Sequence, residues 1–159
     1  MSATASRIAL ITGANKGIGF EVARQLGGHG FQVVVGARRR DAGLKAVAEL
    51  AGGRAQFLEI DIANSASITR AAKQLAALVD HLDVLVNNAG ILEDGKATAL
   101  DVSAEVVRRT FETNTLGPLL VTQAMLPLLL QAPEGARVIN VSSGTGALGE
   151  IMLCTITQL

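Results

Sequence analysis

The chain has 159 residues, and 14 lysines and arginines balance 14 aspartates and glutamates, so it is long enough for one domain with its own core and carries no basic field to hold nucleic acid or an anionic membrane. A single cysteine, Cys154, and two histidines, His29 and His81, exclude an internal disulfide and argue against a Cys- or His-built metal site, so no metal is expected. The opening residues lack the charged start of a leader, and the longest apolar run, 116–130, is interrupted by Pro118, Gln123 and Pro127 and falls short of the roughly 20 residues of a bilayer span, so the sequence reads as soluble and cytoplasmic.

Ile8-Ala9-Leu10-Ile11 reads as a buried strand, followed by Thr12-Gly13-Ala14-Asn15-Lys16-Gly17-Ile18-Gly19 and then a helix whose Ile18, Val22, Ala23 and Leu26 recur at helical spacing. The first N–H groups of a helix have no internal partners, and its dipole places about half a positive charge there, so an anion is welcome. Gly13 suits positive φ at the strand end, while Gly17 and Gly19 remove side chains that would hold a diphosphate or a neighbouring strand at a distance. The glycines fall as G-x-x-x-G-x-G, which is neither G-x-G-x-x-G nor the mononucleotide pattern ending in G-K-[ST]. Taken alone, the stretch is either a phosphate cradle or a turn that merely joins strand to helix.

Gly27-Gly28-His29-Gly30 stops the helix, and residues 32–37 read as a second buried strand. An NAD site asks for a carboxylate just beyond such a strand, yet here stand Arg38, Arg39 and Arg40. Guanidinium groups suit a 2′-phosphate, and Lys16 would add a cation, so NADP(H) is the expected cofactor. Arg39 and Arg40 read equally well as a solvated helix start. A helix over 41–50, ended by Gly52-Gly53, leads to a third strand at 55–60, and Asp61-Ile62 follows. That pair would bond and cover an adenine, or Asp61 is an ordinary loop aspartate. Asn64 or Ser65 caps a structural helix to Val79, with Ile68, Ala71, Ala72, Leu75, Leu78 and Val79 on its inner face.

Strand four, 82–86, runs into Asn87-Asn88-Ala89-Gly90, where buried amides need partners and are expected to tie adjacent strands to a cofactor ribose. In their order and spacing, Thr12-Gly13-x-x-x-Gly17-Ile18-Gly19, Asp61-Ile62 and Asn87-Asn88-Ala89-Gly90 resemble the short-chain dehydrogenase/reductase family. Asn15-Lys16 and Ala37-Arg38 resemble its NADPH-dependent carbonyl-reductase branch. The resemblance implies an α/β fold of Rossmann type, a doubly wound parallel sheet of order 3-2-1-4-5, lacking the family's last strands. It implies a cofactor site of Gly13, Asn15, Lys16, Gly17, Ile18, Gly19, Arg38, Asp61, Ile62, Asn88, Ala89 and Gly90. Residues 1–149 form this partial domain and 150–159 an unmatched tail.

The stretch 101–131 predicts one long helix bent at Pro118, its C-terminal half apolar nearly all round. In the family this helix packs on the sheet and often on a second subunit. Asn114 matches a family asparagine that anchors a water in a proton relay, or it bonds a carbonyl freed at the kink, or both. After a fifth strand, 136–141, Ser143 matches the catalytic serine that donates to a substrate carbonyl, although a serine pair at a strand end is by itself ordinary turn chemistry. The family's general acid is a tyrosine, with a lysine four residues on, and this sequence contains no tyrosine.

His29 and His81 are expected at the far edge of the sheet, unable to replace that acid. The chain is therefore expected to bind cofactor but to be catalytically impaired, with a small carbonyl compound as substrate of the full-length form. A bare strand-five edge, or the tail 151–157 covering it, is expected, with homo-oligomer formation through the 103–131 helix and that edge. The readings are a truncated reductase, a short NADP(H)-binding module without turnover, or a scaffold fragment.

Overall fold

A computed structural model of the chain describes residues 6–50, 54–93, 98, 100–143 and 155–158. In order they form β1 (Ile8–Thr12), α1 (Gly17–Gly28), β2 (Gln32–Ala37), α2 (Arg40–Glu49), β3 (Ala55–Glu59), α3 (Ser65–Ala76) and β4 (Val84–Asn87). There follow α4 (Ala104–Phe111), a π-helical segment (Glu112–Leu116), α5 (Gly117–Leu129), β5 (Arg137–Asn140) and β6 (Thr155–Gln158). The glycine stop at 52–53, Gly144 and Cys154 lie outside the described residues.

The strands hydrogen-bond in the order β3-β2-β1-β4-β5-β6, the first five parallel. The alternation of β1 explains the layering. Leu10 joins Val34, Leu58, Leu85 and Val138 in a core closed by Ile68 and Leu75 of α3 and by Val121, Met125 and Leu129 of α5. Ala9 and Ile11 point the other way, into a second core with Val33, Val35, Val84 and Val86, covered by Ala23 of α1 and Ala46 of α2. A sheet buried on both faces needs apolar side chains at every strand position, and all five residues of β1 are buried.

Of the two expectations for the edge of β5 the covered one holds, because Arg137–Asn140 pairs antiparallel with Thr155–Gln158. Others need correction. The helix predicted over 101–131 is three pieces. Pro118 has no N–H to give the preceding turn, the ladder widens to π spacing before it, and Pro118 sits in the first turn of α5 rather than at a simple kink. Thr122 then donates its hydroxyl to the Pro118 carbonyl at 2.8 Å. Leu78, placed by periodicity on the inner face of its helix, is 58% exposed and lies beyond the end of α3. On the outer side of α4 and α5, Val107, Phe111, Leu119, Leu126 and Leu130 remain exposed.

The N-terminal ends of the strands are held by a buried carboxylate. Asp83 Oδ2 accepts the Ile8 N–H at 2.6 Å and lies 3.2 Å from His81 Nε2, while the Asp83 backbone bonds Ile8 on one side and Arg137 on the other. Both histidines stand at this end, as expected, away from the ends that carry Gly13 and Asn88. Asp83→Ala leaves the buried Ile8 N–H without a partner and is expected to lower the unfolding free energy by about 1–3 kcal/mol in a urea titration.

Candidate functional site

Gly13, Arg38, Asp61 and Asn88 each follow the C-terminal end of a different strand, β1 to β4 in turn. Chain order reverses between β1 and β4, and the space outside that reversal is where an open parallel sheet leaves a crevice. A cleft of about 760 Å³ opens there. Its lining brings together every residue expected to bind cofactor: Gly13, Asn15 to Gly19, Arg38, Asp61, Ile62 and Asn88 to Gly90.

The glycine turn is built as its sequence requires. Gly13 and Gly17 have φ of +68° and +59°, a region closed to most side chains. Gly19 has a different task. A Cβ there would lie 2.4 Å from Asn88 Nδ2 and 2.8 Å from the Gly13 carbonyl, so its absence lets α1 press against the end of β4. Around Gly17 there is open space, which leaves room for a ligand against the backbone.

The first turn of α1 carries no side-chain cap and no acidic residue. In contrast, Asn64 accepts from Ser67 N at the start of α3, and Ser103 accepts from Val106 N at the start of α4. The N–H groups at the start of α1 are thus left facing the cleft, where the helix dipole favours negative charge.

Thr12 holds this turn against β4. Its hydroxyl donates to Val86 O at 3.3 Å and accepts from Asn88 N at 3.0 Å and Ala89 N at 3.1 Å, so all three of its hydrogen-bonding positions are used. Asn88 Nδ2 returns a bond to Thr12 O at 2.9 Å. Asn87 does the same work one strand over, donating to Asn140 Oδ1 at 2.9 Å and to Thr122 Oγ1 at 3.1 Å. The asparagines therefore tie strands together as their sequence position implies. Thr12, 1% exposed, was legible as the first residue of the glycine motif, but not as the hydroxyl that joins β1 to the end of β4.

Cations line the cleft after β1 and after β2. Lys16 and Arg38 are exposed, line the cleft and make no ion pair among the described residues. Arg39 also lines it but is engaged by Asp41, with Nη2 to Oδ2 at 2.6 Å and Nε to Oδ1 at 3.2 Å. That guanidinium, with the Ala42 backbone N–H, holds the Asp41 carboxyl at about 2, so the pair stays ionised at neutral pH. Asp61 accepts the Ala63 N–H at 3.0 Å, as a loop aspartate does, and still borders the cleft; Ile62 is buried in the core and shows it one face.

Asn114 and Ser143 stand apart from this lining. Asn114, in the π-helical segment, donates Nδ2 to Ile91 O at 2.8 Å and accepts Ile91 N at 2.9 Å, so it clamps the loop after β4 rather than a freed helix carbonyl. It faces a smaller, more apolar cleft of about 420 Å³ with Val102, Val106 and Phe111. Ser143 is exposed, three residues beyond the end of β5.

Residues 7–155 match the family model for short chain dehydrogenases. The chain belongs to the short-chain dehydrogenase family. It is 34% identical to a (+)-neomenthol dehydrogenase of Arabidopsis thaliana, a match covering 96% of this chain and 58% of that protein. It is 38% identical to the short-chain dehydrogenase anuI of Penicillium roqueforti, over 94% of this chain and 60% of the relative. Among solved structures it resembles the Pseudomonas aeruginosa RhlG/NADP active-site complex, with a TM-score of 0.83, 34% identity and coverage of 93% and 59% of the two chains. The chain thus spans somewhat over half the length of these relatives. Within the family's sheet, the Thr12 hydroxyl is the joint on which the glycine turn rests. Thr12→Val keeps shape but strands the Asn88 and Ala89 N–H groups, and chemical denaturation should read a loss of about 1–3 kcal/mol.

Proposed function

We propose that this chain is the NADP(H)-binding part of a short-chain dehydrogenase/reductase that reduces a small carbonyl compound to an alcohol, and that the 159 residues as given bind cofactor with little turnover. The observation that carries this reading is the uncapped start of α1, bordered by positive-φ glycines and by Lys16 and Arg38, which make no ion pair among the described residues. A diphosphate fits the free N–H groups there, because they need acceptors and the dipole needs an anion. A 2′-phosphate fits Arg38, whose planar, permanently charged donors match its oxygens, and no carboxylate stands at that position to hold a bare ribose hydroxyl. The NADP named in the RhlG complex supports the same choice.

Each remaining residue has a role in this reading. Asp61 and Ile62 bond and flank the adenine, and Asn88, Ala89 and Gly90 border the ribose. When bound, the nicotinamide supplies hydride to a carbonyl carbon. Ser143 donates its hydroxyl to the carbonyl oxygen as negative charge builds there, and Asn114 fixes the Ile91 backbone at the rim of the site. Asn114 also matches the anchor of a relay water. No tyrosine exists among these residues to complete the alcohol, which is why turnover is low and why a binding module without catalysis is the second reading.

The exposed apolar side chains of α4 and α5 support association with a second subunit; the chain edge at β5 no longer does, since β6 lies there. No helix among the described residues is long and apolar enough to cross a membrane, and a cytoplasmic protein without nucleic-acid partners agrees with the balanced charge.

NADPH fluorescence on the purified chain should saturate at low salt. Arg38→Ala is expected to weaken NADPH about 10- to 100-fold, the worth of charge-assisted bonds, and to leave NADH nearly unchanged; equal losses would remove the 2′-phosphate assignment. Carbonyl-dependent NADPH oxidation should run about 10²- to 10⁴-fold below that of a family member carrying the acid. Faster turnover that Ser143→Ala abolishes would overturn the impaired-catalysis reading.

A further inference from the structure

Three cations line the cleft, Arg38 and Arg39 just beyond β2 and Lys16 ahead of α1, and they are not equivalent. Lys16 and Arg38 have no ion-pair partner among the described residues, whereas Arg39 is gripped by Asp41 through two parallel hydrogen bonds. Arg39 sits just ahead of α2 with extended backbone, φ −98° and ψ 118°, and Asp41 is in the first turn, where the helix dipole also favours its charge. The two side chains are 73% and 71% exposed, so the pair is solvated and weak enough for a dianion to compete with it. Asp41 does not line the cleft, but its charge lies within hydrogen-bonding distance of a residue that does.

From this geometry we infer that Asp41 sets the strength of discrimination between phosphorylated and unphosphorylated dinucleotide, by holding Arg39 in an ion pair that a 2′-phosphate must break before it gains a third cation. The inference rests on the NADP(H) reading above. An unphosphorylated ribose offers Arg39 no such anion, so Asp41 leaves its affinity alone. A carboxylate near a phosphate subsite thus acts as a restraint on selectivity rather than as the ribose-binding acid of an NAD site.

The experiment is a set of fluorescence titrations of NADPH and NADH on the full chain, with circular dichroism to verify folding. Asp41→Asn keeps size and a polar group at an exposed position while removing the charge. It is expected to lower the dissociation constant for NADPH about 3- to 10-fold, leave that for NADH unchanged, and lose much of the gain at high salt. The double variant Arg39→Ala with Asp41→Asn should show none of the gain. NADPH binding unchanged or weakened in Asp41→Asn, tightening of both nucleotides alike, or a gain that survives the loss of Arg39 would each overturn the inference. Arg38→Ala separates the two levels. Equal losses for NADPH and NADH in that variant remove the NADP(H) reading and this inference with it, whereas selective loss there with no selective gain in Asp41→Asn overturns this inference alone.

Discussion

A single buried hydroxyl, that of Thr12, fixes where two strands end and where the functional cleft begins. Parallel neighbours β1 and β4 are both buried on two faces, so the backbone groups at their last residues are out of reach of water and must find partners in the protein. Thr12 Oγ1 serves Val86, Asn88 and Ala89 at once, and the Asn88 amide returns to the Thr12 carbonyl. With that joint closed, Gly13 must turn away in the left-handed region, and α1 is aimed with its first N–H groups at the cleft. Gly19 lets the helix approach Asn88 closely enough to keep the joint closed.

The same construction explains a local weakness. α3 and α4 begin with side-chain caps, but α1 begins with a lysine in extended conformation and leaves its donors bare. A capped start would be more stable by roughly 1 kcal/mol and would fill the place an anion needs. The cationic rim works alike, since among the described residues Lys16 and Arg38 have no acidic partner while Arg39 is restrained. Stability given up at the rim is offset in the two cores, where β1 and β2 contribute almost wholly buried side chains.

Much of the α/β order was legible because its signals are local. Apolar runs at 8–11 and 32–37, the glycine stops and the Asn64 cap each report on a few neighbouring residues, and β1, β2, α1 and α3 appear close to their expected places. Periodicity failed at a helix end, where Leu78 follows the repeat yet lies past the last turn of α3 and is exposed. The break at 112–116 was visible only as a proline. What surrounds the break was not legible: Asn114 reaches Ile91, and Gly117 passes Ile62 O, where a Cβ would lie 2.8 Å away.

By itself the sequence determined the alternation of strands and helices, the positions of the glycines and the identity of the charges beyond β2, since these depend on backbone freedom, apolar patterning and residue chemistry. It also determined that no tyrosine stands among these 159 residues. Only the tertiary structure decided which of three arginines is engaged, that Asn114 clamps a loop, and that residues 155–158 lie antiparallel against β5. Each of those depends on the distance between groups that the chain brings together through folding, and neither composition nor spacing along the chain contains that distance.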